Sequence, residues 1–158
     1  MRHAWLFLLS SQYAQPMAKL YYLLTVIFVP YLGLSQTPVG RWKTIDEETQ
    51  EAMAVVEIAE RNNQLYGKII RLYPRPNEEP DPVCKKCPQN DYRYLKKIIG
   101  MEILKDLKKD GREYSGGNVL DPKVGKIYRC RIWLEGETLK VRGYWGIFYR
   151  TQTWLRAE

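Results

Sequence analysis

Residues 107–146 read LKKDGREYSGGNVLDPKVGKIYRCRIWLEGETLKVRGYWG, and the spacing of turn signals along this stretch decides the fold. Asp110-Gly111 is a strong hairpin turn, Asp121-Pro122-Lys123-Val124-Gly125 a second turn and Glu135-Gly136-Glu137 a third. The segments between them, Glu113 to Leu120, Lys126 to Leu134 and Thr138 to Trp145, carry β-branched and aromatic residues in short runs, the pattern of strands. Each turn is short, so each strand pairs with the next in an antiparallel meander.

Working outward, the same pattern continues in both directions. Downstream, Arg150 to Arg156 closes the chain as a further strand. Upstream, Met101 to Lys108 feeds the Asp-Gly turn, and Met53 to Glu60 and Gln64 to Tyr73 flank Arg61-Asn62-Asn63 as a hairpin. Arg41 to Asp46, opened by Gly40 and ended by Asp46-Glu47-Glu48, is the first strand. Helix signals are nearly absent. Eight strands joined in sequence order are most easily satisfied as an all-β, up-and-down barrel, which removes the exposed edges of an open sheet. A barrel of that size encloses space for side chains or for one small ligand. The alternative architecture is a two-sheet sandwich.

One connection breaks the rule of short turns. Residues 74–99 carry Pro74, Pro76, Pro80, Pro82 and Pro88, acids at Glu78, Glu79 and Asp81, and the pair Cys84 and Cys87. Loops of this length are commonly lids or binding loops, or else decorated surface. Cys84-Lys85-Lys86-Cys87 admits three chemistries: a structural disulfide, half of a metal site completed by Cys130 with Asp81 or Asp91, or thiol exchange. Thioredoxin-like exchange requires a helix start in a βαβ setting, which this stretch lacks. A Cys84–Cys87 disulfide is the expectation, with no metal and no cofactor. Cys130 alternates in register with Tyr128 and Ile132, as a buried free thiol would.

Before the first strand, residues 17–36 read MAKLYYLLTVIFVPYLGLSQ: one lysine, an apolar run from Leu20 to Leu34, then small and polar residues. This is the three-part form of a secretory signal peptide, and its apolar run is shorter than the ~20 residues that span a bilayer. Residues 1–35 are read as extension and signal peptide, with Met17 a candidate start, and residues 36–158 as one β-barrel domain exported to the periplasm or beyond.

Composition then narrows the function. The chain has 158 residues, 25 Lys plus Arg against 18 Asp plus Glu, and a single histidine, His3. Removing residues 1–35 takes away Arg2 and Lys19 and no acid, leaving 23 bases against 18 acids and no histidine. That excludes a Ser-His-Asp triad, a Cys-His pair and any histidine-containing metal site in the domain. The bases are scattered among acids rather than gathered on one face, which argues against nucleic acid as a partner. Glu57 and Glu102 are discounted as a catalytic carboxylate pair, because nothing in the sequence fixes their separation. No catalytic residue is assigned.

Gly40-Arg41-Trp42 at the start of the first strand and Arg156, two residues beyond Trp154 in the last, are similar to the lipocalin and calycin arrangement, in which a Gly-x-Trp packs beneath a basic residue from the barrel's end. The resemblance implies that Gly40, Trp42 and Arg156 are structural. The domain also resembles a bacterial family of exported proteins known as domain of unknown function 2147. The matching stretches are GRWKTID at 40–46, VVEI at 55–58, LYGKI at 65–69, DPVCKKC at 81–87, IIGMEIL at 98–104, the stretch 107–146 and RTQTWLR at 150–156. The resemblance implies an exported lipocalin-like barrel of uncharacterised activity, with no catalytic residues to carry over.

Alternation supplies a candidate interior. Trp42, Val56, Ile58, Tyr66, Ile70, Met101, Ile103, Tyr128, Ile132, Tyr144 and Trp154 fall on apolar faces, and a slip of one residue inverts any strand. Of these, Trp42, Val56, Tyr66, Met101, Tyr128, Tyr144 and Trp154 are the candidate ligand contacts. Glu57, Lys68, Glu102, Arg131, Arg142 and Gln152 are expected to face solvent. The expected function is binding of a small apolar or amphipathic molecule inside the barrel. The alternative is a non-enzymatic envelope protein with a filled barrel, contacting a protein, glycan or anionic lipid through Tyr92, Tyr94, Trp133, Trp145 and Tyr149.

Overall fold

A computed structural model describes residues 36–158; the signal peptide expected in residues 1–35 lies outside the described residues. Eight strands follow one another: β1 (Gly40–Ile45), β2 (Ala52–Arg61), β3 (Gln64–Leu72), β4 (Glu102–Asp110), β5 (Glu113–Asp121), β6 (Lys126–Glu135), β7 (Thr138–Trp145) and β8 (Phe148–Arg156). Each pairs antiparallel with the next, and β8 returns to β1 to close a barrel, so the sandwich alternative is excluded. The closing seam is brief. Trp42 faces Arg156 and Lys43 faces Leu155, and the Ala157 N–H extends the ladder by donating to the Arg41 carbonyl at 2.9 Å.

The turns form as their residues dictate. Asn62 and Asn63 both adopt positive φ, 51° and 60°, which a tight two-residue hairpin of the right twist requires and which asparagine tolerates. The β2–β3, β4–β5 and β6–β7 turns share one end of the barrel. That end is packed solid: Trp42, Ile58, Leu65, Leu107, Ile132 and Leu139 are all essentially removed from solvent.

Strand register follows a rule that hydrophobic alternation hides, because glycines take inward positions opposite large inward side chains. In β3 the buried positions are Leu65, Gly67 and Ile69, and a Cβ on Gly67 would lie 2.8 Å from a methyl of Leu104. In β7 the inward series is Leu139, Val141 and Gly143, and Gly143 leaves room for the Tyr128 ring, whose Cβ is 3.4 Å from where an added Cβ would stand. Tyr66, Ile70 and Tyr144 therefore face outward, which corrects their assignment to the interior.

The segment between β3 and β4 is folded onto the barrel. A bridge pairs Val83 with Lys97, the Cys84 N–H donates to the Lys96 carbonyl at 2.8 Å, and Ile98 N–H donates to the Pro82 carbonyl at 3.0 Å. Cys84 and Cys87 form a disulfide, and both are buried. The disulfide turn sits against the β5–β6 turn. The Cys84 Sγ lies 3.8 Å from the Pro122 carbonyl oxygen, and any Cβ on Gly125 would collide with the Lys86 carbonyl. Buried Arg93 fastens the segment to β4: its Nε and Nη2 donate to the two Asp91 carboxylate oxygens at 2.8 Å each, and its Nη1 donates to the Glu102 carbonyl at 2.9 Å.

Candidate functional site

Above the packed end, the barrel opens into a cavity of about 1160 Å³, somewhat above the range of roughly 300–1,000 Å³ typical of small-molecule pockets. Its deep wall is apolar: Ala54 and Val56 from β2, Ile69 from β3, Ile103 from β4, Val119 and Leu120 from β5, Val141 from β7 and Trp154 from β8. Every strand except β6 contributes an aliphatic or indole surface, Ile45 from β1 included, and Tyr128 of β6 and Thr44 of β1 add polar groups. Gln152 lines the same space, its carbonyl oxygen accepting from the Trp154 indole N–H at 3.3 Å. The Tyr128 hydroxyl has no hydrogen-bond partner among the described residues. A wall that is mostly hydrocarbon, with the Tyr128 hydroxyl and the Gln152 amide nitrogen as polar handles, suits a molecule with an apolar body and a polar group.

The mouth lies at the end bearing the β1–β2, β5–β6 and β7–β8 turns and the 73–101 connection. Pro82, Val83 and Ile98 of that connection form part of the wall, so the segment is a fixed cover over one side of the mouth. The rim is charged. Asp46 is held to Arg75 at 2.9 Å and Glu47 to Arg150 at 2.8 Å. Backbone N–H groups of Thr49 and Glu48, then Arg75, keep the Asp46 carboxyl below its ordinary range. Lys85, Lys86 and Lys123 also line the rim, with Lys123 Nζ reaching to 3.4 Å from Met53 Sδ on β2, and Trp145, Phe148 and Tyr149 stand at its edge.

A second, outer groove of about 450 Å³ runs past Arg41, Lys43, Arg71 and Arg156, with Val55 and Ile70 as its main apolar contacts. It lies on the solvent face of β1–β3 and offers little hydrocarbon to a ligand, so the interior is the candidate site.

The structure brings together three of the seven candidate contacts: Val56, Tyr128 and Trp154 all line the cavity. Trp42 is buried in the packed end, its indole N–H donating to the Pro38 carbonyl at 2.7 Å and its ring lying 4.2 Å beneath the Arg156 guanidinium. Met101 is buried in the core without lining the cavity. Tyr66 and Tyr144 stand outside. Tyr66 donates to Asp106 at 2.9 Å beneath the Arg61 guanidinium, and Tyr144 packs on Tyr149. Gln152, expected to face solvent, faces in; its position two residues before Trp154 on one strand was the available signal. Glu57 and Glu102 flank Lys68 on neighbouring strands, and each is bound to an arginine, Arg41 and Arg61 respectively. Cys130 is a buried free thiol, pushed up to about 12 by burial. Among the described residues no group of three His, Cys, Asp or Glu side chains is placed to hold a metal ion.

A closed meander of eight strands, one end packed beneath a Trp–Arg stack and the other open to an apolar cavity, defines the lipocalin-like class of barrel. Residues 40–156 match the family described as an uncharacterized protein conserved in bacteria, DUF2147, and the chain belongs to that family. Among solved structures it is similar to protein HP1028 from the human pathogen Helicobacter pylori, described as belonging to the lipocalin family. The two share 25% identity and a TM-score of 0.63, over 76% of this chain and 82% of that one. No curated protein matches the chain.

Proposed function

We propose that the barrel is a carrier that binds a small apolar or amphipathic molecule in its interior, without catalysis. The observation that carries this reading is the cavity of about 1160 Å³ with its largely hydrocarbon wall. The contacts are Val56, Tyr128 and Trp154, joined by Ile103, Val141 and Gln152. Trp42 and Arg156, with Gly40 beneath them, act as the structural plug of the opposite end. The lipocalin description of the similar H. pylori protein supports a binder rather than an enzyme.

We infer also that the protein works outside the cytoplasm. The Cys84–Cys87 disulfide is of the kind that persists in oxidising compartments, and the leader-like residues 17–36 precede the barrel. Native mass spectrometry of the protein purified from its own cell envelope tests the binding reading. A retained small molecule, displaced by a fluorescent apolar probe that binds in its place, is the expected result. A protein that carries nothing and takes up no such probe would overturn it.

A further inference from the structure

The hairpin joining β7 and β8 reads Tyr144-Trp145-Gly146-Ile147-Phe148-Tyr149. Trp145, Ile147, Phe148 and Tyr149 are 69%, 89%, 66% and 62% exposed, which places the largest run of uncovered apolar side chains among the described residues at the rim of the cavity. Val124 on the adjacent β5–β6 turn, 49% exposed, extends the patch. We propose that this hairpin is a docking element for an anionic lipid surface, bringing the mouth of the barrel against the membrane.

Three observations favour lipid over a protein partner. The first is composition: Trp, Tyr and Phe concentrated at a protruding tip are the residues that settle at the boundary between headgroups and acyl chains. The second is area. Four such side chains at these exposures offer on the order of 500 Å², short of the roughly 800 Å² per partner that a stable protein interface uses, whereas a membrane needs only a few inserted side chains.

The third observation is charge. On one side of the tip stand Lys85, Lys86, Lys123 and Lys126, all exposed and none in an ion pair among the described residues; Lys126 Nζ lies 5.2 Å from the Trp145 ring centre. Anionic headgroups would supply the missing counter-charge. Asp121 stands among these lysines, and the rest of the rim is acidic, with Asp46, Glu47, Glu48, Glu51, Glu78 and Glu79, of which Asp46 and Glu47 are neutralised by Arg75 and Arg150. The barrel would therefore tilt toward its lysine side. Contact stops at the tip, because the strands' outer faces carry Lys68, Arg131 and Arg142, which a bilayer core would not accept. Docking stands independently of what the cavity holds, so its test does not depend on the identity of a ligand.

The test uses residues 36–158, which contain every strand and the closing ladder, with sedimentation on vesicles containing phosphatidylglycerol or made of phosphatidylcholine alone. The parent is expected to bind the anionic vesicles, more weakly at high salt. Ile147→Ser with Phe148→Ser is expected to weaken binding about tenfold or more, and Lys123→Glu with Lys126→Glu to abolish the preference for anionic lipid. In the full chain, run in parallel, brominated lipid should quench tryptophan emission less in Trp145→Phe than in the parent. Failure of the parent to bind vesicles, equal binding by the tip variant, or equal quenching in Trp145→Phe would each overturn the proposal. So would a soluble protein captured at the tip with no vesicle binding.

Discussion

The Arg156 guanidinium lies 4.2 Å over the Trp42 ring, and the same two residues face each other across the β1–β8 ladder that closes the barrel. One contact thus caps the packed end and staples the shortest seam. Arg156→Ala is expected to lower stability by about 1–2 kcal/mol through loss of the cation–ring contact and stem packing, and Trp42→Ala by about 3–5 kcal/mol through the cavity it leaves. Urea unfolding of the two variants checks this. An Arg156→Ala protein as stable as the parent would show that the seam holds without the stack.

The Asp91–Arg93 clasp makes stability depend on acid. The Arg93 guanidinium holds the Asp91 carboxyl at about 2, against an ordinary value of 3.8. A folded-state value below the unfolded one means the contribution is complete above about pH 4 and is lost as pH falls through 2. Asp91→Ala should cost about 3 kcal/mol at neutral pH, because it leaves a buried guanidinium without its partner. Between pH 4 and 2, the variant's stability should fall less steeply than the parent's.

Replacing the cysteine pair should loosen the cover while sparing the barrel. A bridge between residues three apart closes a small loop, so Cys84→Ser with Cys87→Ser is expected to cost only about 2 kcal/mol. Hydrogen exchange should rise in residues 82–98 and remain unchanged in β6 and β7. Exchange that rises equally throughout would place the disulfide at the centre of the fold's stability.

Thiol chemistry offers an independent check on Cys130. With its thiol pushed up to about 12 and its side chain buried, it should resist labelling at pH 8 until the protein unfolds. Rapid labelling of the native protein would contradict its placement inside β6.

Gly67 and Gly143 should respond differently to an added methyl group. Gly67→Ala drives a Cβ to 2.8 Å from Leu104 and is expected to cost about 1–3 kcal/mol. Gly143→Ala meets Tyr128 at 3.4 Å and should change stability little. Gly143→Leu projects into the cavity instead and should reduce binding of an apolar probe about tenfold, equivalent to about 1.4 kcal/mol, with folding retained. Titration of the probe into each folded variant measures the difference.

Turn chemistry made the architecture legible in the sequence. Asn62-Asn63, Asp110-Gly111, the 121–125 turn and Glu135-Gly136-Glu137 mark where each strand ends, and short turns leave each strand no neighbour but the next. Local conformational preference is a property of a few adjacent residues, so it survives reading one residue at a time. The same holds for Cys84 and Cys87, whose separation of three brings them within reach of each other inside one turn.

Which face of each strand turns inward was decided only in the folded barrel. Gly67 and Gly143 carry no hydrophobic signal, yet both point inward, because Leu104 and Tyr128 reach into the space they leave. Tyr66 and Tyr144, the more apolar choices by pattern, are thereby sent outside, and Gln152 is brought in beside Trp154. Volume inside a closed barrel is shared among strands far apart in sequence, and no single strand records its neighbours' share. The interior's shape, and with it the candidate site, therefore belongs to the tertiary structure, as does the β1–β8 closure that excludes a sandwich, while the succession of strands was already determined by the turns.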